Sequence, residues 1–328
     1  MATSTSDFRH QCCLYSTEVE FLAMAVPFAQ DGLRRGEPVL VTTTAANLEL
    51  LHDVLGADAG KIVYAELASF GRRPPHLAHA LHRYWTRHQP TASTGTVRIL
   101  AEPDRTGGAR RVAAGWHRVE AAFNAVLADT KIWMICPYDT RAVDAEVLED
   151  ARRTHPECLV GRKAEPSTQF LAPEEFDGPR LSPPPLGAAA DVFRFEGDLV
   201  AVRRHVLDKA GPLLRSEKAL AMFGVAVGEA VAYLLKHRID RAAVWVRPVA
   251  GRVVCTLHSD QPLDVPPFFG FRPPGPHQPD HSLGMTHQIC EWLDLSSDAS
   301  GCTIELAMPA RHAETARPAE SDGLGFGG

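Results

Sequence analysis

The sequence predicts an α/β chain in two parts, a parallel-sheet N-terminal domain followed by a smaller α/β sandwich. Three observations predict it. From His10 to about Arg162, short β-branched runs alternate with longer amphipathic stretches, the pattern of β-α-β units in a largely parallel sheet. Six prolines between Pro166 and Pro185 then mark a segment that sustains neither a helix nor a central strand. Beyond it the order changes to two helices, a hairpin, a long loop, a helix and two strands. A length of 328 residues suits two cores better than one.

The elements follow in order. Gln11–Tyr15 reads as a short strand. Thr17–Arg35 carries Val19, Leu22, Val26 and Leu33 at near-helical spacing and stops at Gly36. Pro38–Thr43 is a buried-type strand, and Ala45–Leu55 a helix with Gly56 just past its end. Lys61–Leu67 and Thr96–Glu102 are strands, separated by the helix Pro74–His88. Arg110–Ala128 is a long helix, Lys131–Cys136 the most apolar strand, and Arg141–Arg153 a helix. After the prolines come helices at Leu199–Leu214 and Ser216–His237. Strands at Ala242–Pro248 and Arg252–Leu257 meet near Ala250-Gly251, a hairpin-turn signal. Pro262–Pro279, with seven prolines, reads as an irregular loop. Ser282–Cys290 reads as a short helix before strands at Trp292–Leu295 and Cys302–Met308. The expected boundaries are a domain over 1–165, a linker over 166–190, a second domain over 191–310 and a disordered tail over 311–328.

Composition narrows the function. With 34 Lys+Arg against 40 Asp+Glu, the formal charge of −6 argues against a dedicated nucleic-acid binder. No apolar run approaches the ~20 residues of a membrane span, and the first residues show no signal-peptide pattern. The seven cysteines are scattered, with no CxxC. That reads as a reduced, cytoplasmic protein with no disulfide framework and no zinc cage.

The N-terminal half contains no GxxxxGK[ST] and no GxGxxG, and its one lysine before residue 100, Lys61, is not in a glycine loop. Ordinary nucleotide hydrolysis there is not expected. Polar residues instead fall where strands end, the place α/β sheets bind ligands. These are Glu66, Glu102 and the run Cys136-Pro137-Tyr138-Asp139, with Glu120 and Asn124 one helical turn apart. The alternative is that they cap helices and close turns. His76, His79 and His82 drift around their helix and read as a solvated face. Cys12-Cys13 reads as a buried strand pair, and no metal-ligand set is identified.

Several motifs occur in order over about 150 residues. They are Gly32-Leu33-Arg34-Arg35-Gly36-Glu37, Gly71-Arg72-Arg73-Pro74, Glu102-Pro103, Glu120-x-x-x-Asn124, Ile135-Cys136-Pro137-Tyr138-Asp139-Thr140 and Ala151-Arg152-Arg153-Thr154-His155-Pro156. This pattern resembles the MEDS-type sensory domain of actinobacterial regulators. The resemblance implies a RecA-like α/β fold without a phosphate loop and a small-ligand pocket. Glu66, Glu102, Glu120, Asn124, Cys136, Tyr138, Asp139 and His155 are the pocket candidates. Val119 and Arg73 depart from the family's usual His and Asn.

On Ser216–His237, a 100° step places Leu220, Phe223, Val227, Val231 and Leu234 in one stripe. Glu229, Tyr233, Lys236 and His237 fall opposite it. The run Val227-Gly228-Glu229 through Tyr233 to His237 resembles the Gly-Glu-x-x-x-Asn-x-x-x-His helix of anti-sigma-factor serine kinases. Those belong to the histidine-kinase-like (GHKL, Bergerat-fold) ATPases. The resemblance covers about residues 193–309 and includes Gly270-Phe271-Arg272-Pro273-Pro274 and Gly301-Cys302-Thr303-Ile304-Glu305-Leu306. It implies an ATP·Mg²⁺ site, whose motifs are altered here. Tyr233 stands where a small oxygen donor ligates Mg²⁺, and Ser259-Asp260-Gln261 replaces Asp-x-Gly. Asp280-His281-Ser282-Leu283 replaces a Gly-x-Gly-Leu that offers amides to phosphate. Glu229 and His237 remain.

The expectation is a cytoplasmic anti-sigma-like regulator that works by partner switching, with no cofactor. Its partner would be a sigma factor or an antagonist of one, with a small molecule possible in the N-terminal domain and a homodimer possible. The alternative is an active serine kinase with Glu229 as base, and a third reading is an inert scaffold.

Overall fold

The computed structural model describes residues 7–66, 74–102, 110–160, 163–176, 191–249, 251–265, 268–269, 271 and 283–310. It divides into two compact units: Met1–Ser182 with Pro266–Gln278, and Pro183–Val265 with Pro279–Gly328. The 311–328 tail, Asp280 and Ser282 lie outside the described residues.

The first unit is a seven-stranded sheet of β1 (Arg9–Tyr15), β2 (Val39–Thr43), β3 (Val63–Glu66), β4 (Val97–Ala101), β5 (Ile132–Asp139), β6 (Glu157–Val160) and β7 (Lys163–Pro166). Its order is β3-β2-β4-β5-β1-β6-β7. All pairings are parallel except β6 with β7. The helices are α1 (Glu18–Arg34), α2 (Ala45–Leu55), α3 (Pro74–His88), α4 (Arg110–Val126) and α5 (Ala145–Thr154). A parallel crossover has one hand, so the direction of each step along the sheet chooses its face. Steps from β1 and β2 toward the β3 edge put α1 and α2 on one face. There Phe21, Met24, Phe28, Leu51 and Leu55 pack with Val41, Leu100 and Ile135. The later steps run back across the sheet and put α3, α4 and α5 on the other face. There Leu77, Leu81, Trp116, Phe123 and Ala151 pack with Ile99, Met134 and Cys136. With both faces covered, β2 and β4 are buried at every residue, which explains their unbroken apolar runs.

Local chemistry sets the helix ends. The Thr17 hydroxyl accepts from Glu20 N at 3.2 Å, while Glu20 Oε2 accepts from Ser16 N at 2.6 Å, a reciprocal cap for α1. Thr44 caps α2 through Asn47 N at 3.3 Å. On β4, Arg98 is almost fully buried. It donates to Glu37 Oε2 (2.5 Å), Asp31 Oδ2 (2.5 Å) and Phe28 O (2.9 Å), with its guanidinium 4.3 Å from the centre of the Trp133 ring. The Gly-x-x-x-Gly-Glu motif of the sequence thus supplies a buried counter-ion.

Three expectations are corrected. Cys12 and Cys158 form a disulfide with Cα atoms 4.7 Å apart, against an expected absence of disulfides. Cys12 of β1 is in register with Cys158 of β6, so parallel pairing alone brings the two together. The segment from 166, read as the start of a linker, begins with the last residue of β7 and continues through turns to a buried Phe176 beside Arg153. The third concerns Tyr233 in the second unit.

That unit is an antiparallel sheet in the order β11-β12-β10-β9-β8. Its strands are β8 (Phe193–Glu196), β9 (Arg241–Val249), β10 (Arg252–Ser259), β11 (Trp292–Asp298) and β12 (Gly301–Pro309). Its helices are α6 (Leu199–Ala210), α7 (Glu217–Lys236) and α8 (Gly284–Ile289). Gly251, at φ 76°, closes the β9–β10 hairpin. Gly301, at φ 137°, lets the β11–β12 turn press on β10. A Cβ there would lie 2.1 Å from Ser259 O. Among the described residues α7 alone is long and apolar enough to cross a membrane, but its Phe223, Val227, Val231 and Leu234 stripe is buried within the unit. Tyr233, placed opposite that stripe by the 100° wheel, is only 2% exposed. α7 packs against both α6 and α8, so more than one of its sides is buried.

Candidate functional site

Two polar clusters lie on opposite faces of the first unit's sheet, because alternate residues of β1 point to opposite faces. The α1/α2 face holds the first. Tyr15, Thr43 and Glu102 end or follow β1, β2 and β4, and Asn47 sits in the first turn of α2. The β2–β4 boundary is where outgoing connections turn in opposite directions, the crevice at which open α/β sheets bind ligands. Tyr15 Oη donates to Glu102 Oε1 at 2.7 Å, and Thr43 Oγ1 donates to Glu102 Oε2. Asn47 Nδ2 reaches Glu102 Oε2 at 3.1 Å and Tyr15 Oη at 3.0 Å. Glu102 is 6% exposed, and its two oxygens are held by three neutral donors. Burial, and then the Glu102 carboxylate, push the Tyr15 phenol well above its ordinary range.

The second cluster lies on the face covered by α4 and α5. Register aligns Cys12 with Cys136 and Leu14 with Tyr138, so His10, Cys136 and Tyr138 share one face. Glu120 and Asn124 project from α4, and His155 follows α5. Tyr138 Oη donates to Glu120 Oε2 at 2.7 Å. His10 Nδ1 is 3.1 Å from Asn124 Oδ1, and His10 Nε2 is 3.4 Å from Cys136 Sγ. The His10 and His155 ring centres are 3.9 Å apart. Burial foremost, and the neighbouring His155 next, hold His10 well below the ordinary histidine range, while Glu120 and Asn124 oppose that shift. That shift favours the neutral ring. Among the described residues, His10, Cys136 and His155 are the donor set able to hold a metal ion. One donor atom of each lies within 4.8 Å of the others, and all three are buried.

Of the residues singled out from sequence, Glu120, Asn124, Cys136, Tyr138 and His155 come together in this cluster. Glu102 belongs to the other. Asp139 closes a turn, accepting from Arg141 N at 2.9 Å and pairing with its guanidinium at 2.7 Å. The Glu66 side chain lies outside the described residues. Sequence reasoning passed over His10, Tyr15, Thr43 and Asn47. For Tyr15 and Thr43 the strand-end rule that picked Glu102 was a sufficient signal.

In the second unit, Glu229 is half-buried and engaged. Its Oε2 accepts from Thr286 N at 2.7 Å and Thr286 Oγ1 at 2.6 Å, and its Oε1 lies 3.4 Å from Met285 N. It therefore caps the first turn of α8. The Tyr233 ring lies 4.6 Å from that of His237. Ser259 Oγ accepts from Gln261 N at 3.3 Å, and the Asp260 carboxylate is fully exposed, 3.5 Å from His258.

No curated protein matches this chain. Residues 9–156, the stretch that carries both polar clusters, match the MEDS family, the MEthanogen/methylotroph, DcmR Sensory domain, and this supports a sensory domain at the N-terminus.

Proposed function

We propose that the chain is a cytoplasmic signal-transduction regulator. A RecA-like sensory unit biases partner binding by a histidine-kinase-like unit that no longer uses ATP. The partner would be a sigma factor or its antagonist. The observation that carries the reading is the engagement of Glu229. Its carboxylate already holds the α8 amides of Met285 and Thr286. In the kinase arrangement phosphate would approach amides near that helix start, and the same carboxylate would serve as base. A carboxylate bound to those amides competes for them and repels phosphate. The bulky, buried Tyr233 at the Mg²⁺-ligand position supports the same reading.

Titration calorimetry of the full chain with ATP·Mg²⁺ tests it. No heat of binding is expected up to millimolar nucleotide, and Glu229→Ala should cost about 1 kcal/mol through the lost cap. Micromolar ATP binding, with phosphate transfer to a partner serine that Glu229→Ala abolishes, establishes the kinase alternative instead.

A further inference from the structure

We propose that His10, Cys136 and His155 form a zinc-binding centre in the first unit, independently of how the second unit acts. Asn124 Nδ2 donates to the Thr154 carbonyl at 2.7 Å, which fixes the orientation of the amide. Its Oδ1 therefore faces His10, and an amide oxygen only accepts. The His10 nitrogen at 3.1 Å must then be the N–H donor, so Nδ1 is protonated and Nε2 carries the lone pair. That lone pair lies 3.4 Å from Cys136 Sγ. His155 is fixed in the same way. Its Nδ1 lies 2.7 Å from the Ala151 carbonyl, an acceptor, so the second Nε2 also carries a lone pair. Backbone carbonyls of one helix end, one directly and one through Asn124, thus set both tautomers. This is the outer-shell arrangement that orients metal-ligating histidines.

The spacing agrees. With Zn–S near 2.3 Å and Zn–N near 2.0–2.1 Å, two ligands on one tetrahedral ion stand about 3.5 Å apart. The His10–Cys136 separation of 3.4 Å matches that edge. Two imidazoles and one thiolate are the donor mixture that suits zinc. Cys136 is 1% exposed, and a dication bound there would take the place of its thiol proton. Three protein ligands leave one position for water or a small exchangeable donor. In a sensory domain that position is a place for a ligand to act.

Untagged full-length protein, dialysed against zinc, should retain one zinc per chain. Its X-ray absorption fine structure should show one sulfur at about 2.3 Å among nitrogen or oxygen scatterers. Cys136→Ser should remove the sulfur and weaken binding at least tenfold. Asn124→Leu, a change at a positioning residue, should weaken binding about 10–100-fold with the sulfur retained. Substoichiometric zinc overturns the proposal, as does a shell with no sulfur or with two or more. So does a folded Cys136→Ser that binds zinc like the parent. If Cys136→Ser does not fold, the shell of the parent protein decides alone.

Discussion

Replacing Arg98 with methionine removes the cation from a buried site. Glu37, 5% exposed, would keep one donor, Thr94 Oγ1 at 2.9 Å, while the Phe28 carbonyl would lose its side-chain donor. Asp31 is better placed, because its side chain is 31% exposed and Arg35 still reaches it at 3.0 Å. The main cost is therefore one uncompensated buried carboxylate. Removing one partner of a buried pair costs about 3–5 kcal/mol. At roughly 2–4 °C per kcal/mol for a unit of this size, the first unit's melting transition should fall by about 6–20 °C. Calorimetry and urea unfolding of the full chain read this directly. Adding Glu37→Leu removes the stranded charge and should recover at least half of the loss, a coupling that a double-mutant cycle measures. A single-variant cost below about 1 kcal/mol, or losses that simply add, would refute the reasoning.

Two further outcomes follow from packing and titration. Gly32→Ala should destabilise, although alanine favours helices by about 1 kcal/mol. Its Cβ would lie 2.8 Å from both Arg98 Cδ and Val39 Cγ2, and overpacking of that kind costs about 1–3 kcal/mol. A raised urea midpoint would contradict this. Tyr84→Phe should be neutral or stabilising by up to about 1 kcal/mol, because the buried hydroxyl has no hydrogen-bond partner among the described residues. Burial pushes this phenol up to about 12, above the value near 10 of an unfolded tyrosine. Its contribution is full below pH 10 and is lost as the pH rises through about 12. The phenylalanine variant should lose less stability over that alkaline window, as melts at several pH values would show.

Local signals made much of the fold legible. Ala45–Leu55 and Pro74–His88 have the same bounds in sequence and structure, because a capping threonine and a following glycine mark the first and a proline opens the second. β6, β7 and β8 escaped because each has four residues, mixed polarity and, in β7, a proline. The second cluster was half legible. The polar residues of α4 and β5 stood out, but His10 became significant only through the parallel pairing of β1 with β5. The Cys12–Cys158 link spans 146 residues, and connectivity at that distance leaves no local mark. Tyr233 was misplaced because a helical wheel assumes one buried face.

The position of β1 carries a consequence for biosynthesis. Of the sheet's strands, β1 comes earliest in the chain, yet both its neighbours, β5 and β6, are made only after β2, β3 and β4. During translation Arg9–Tyr15 emerges with no neighbour to pair with, and it stays so until residues 132–160 follow. Closing the sheet is thus a late, non-local event, slow in the way long-range strand pairing is slow. Until then a strand with two open edges is available to other chains. A nascent chain stalled before β5 should be a preferred chaperone client, and release from that state should coincide with the appearance of β5.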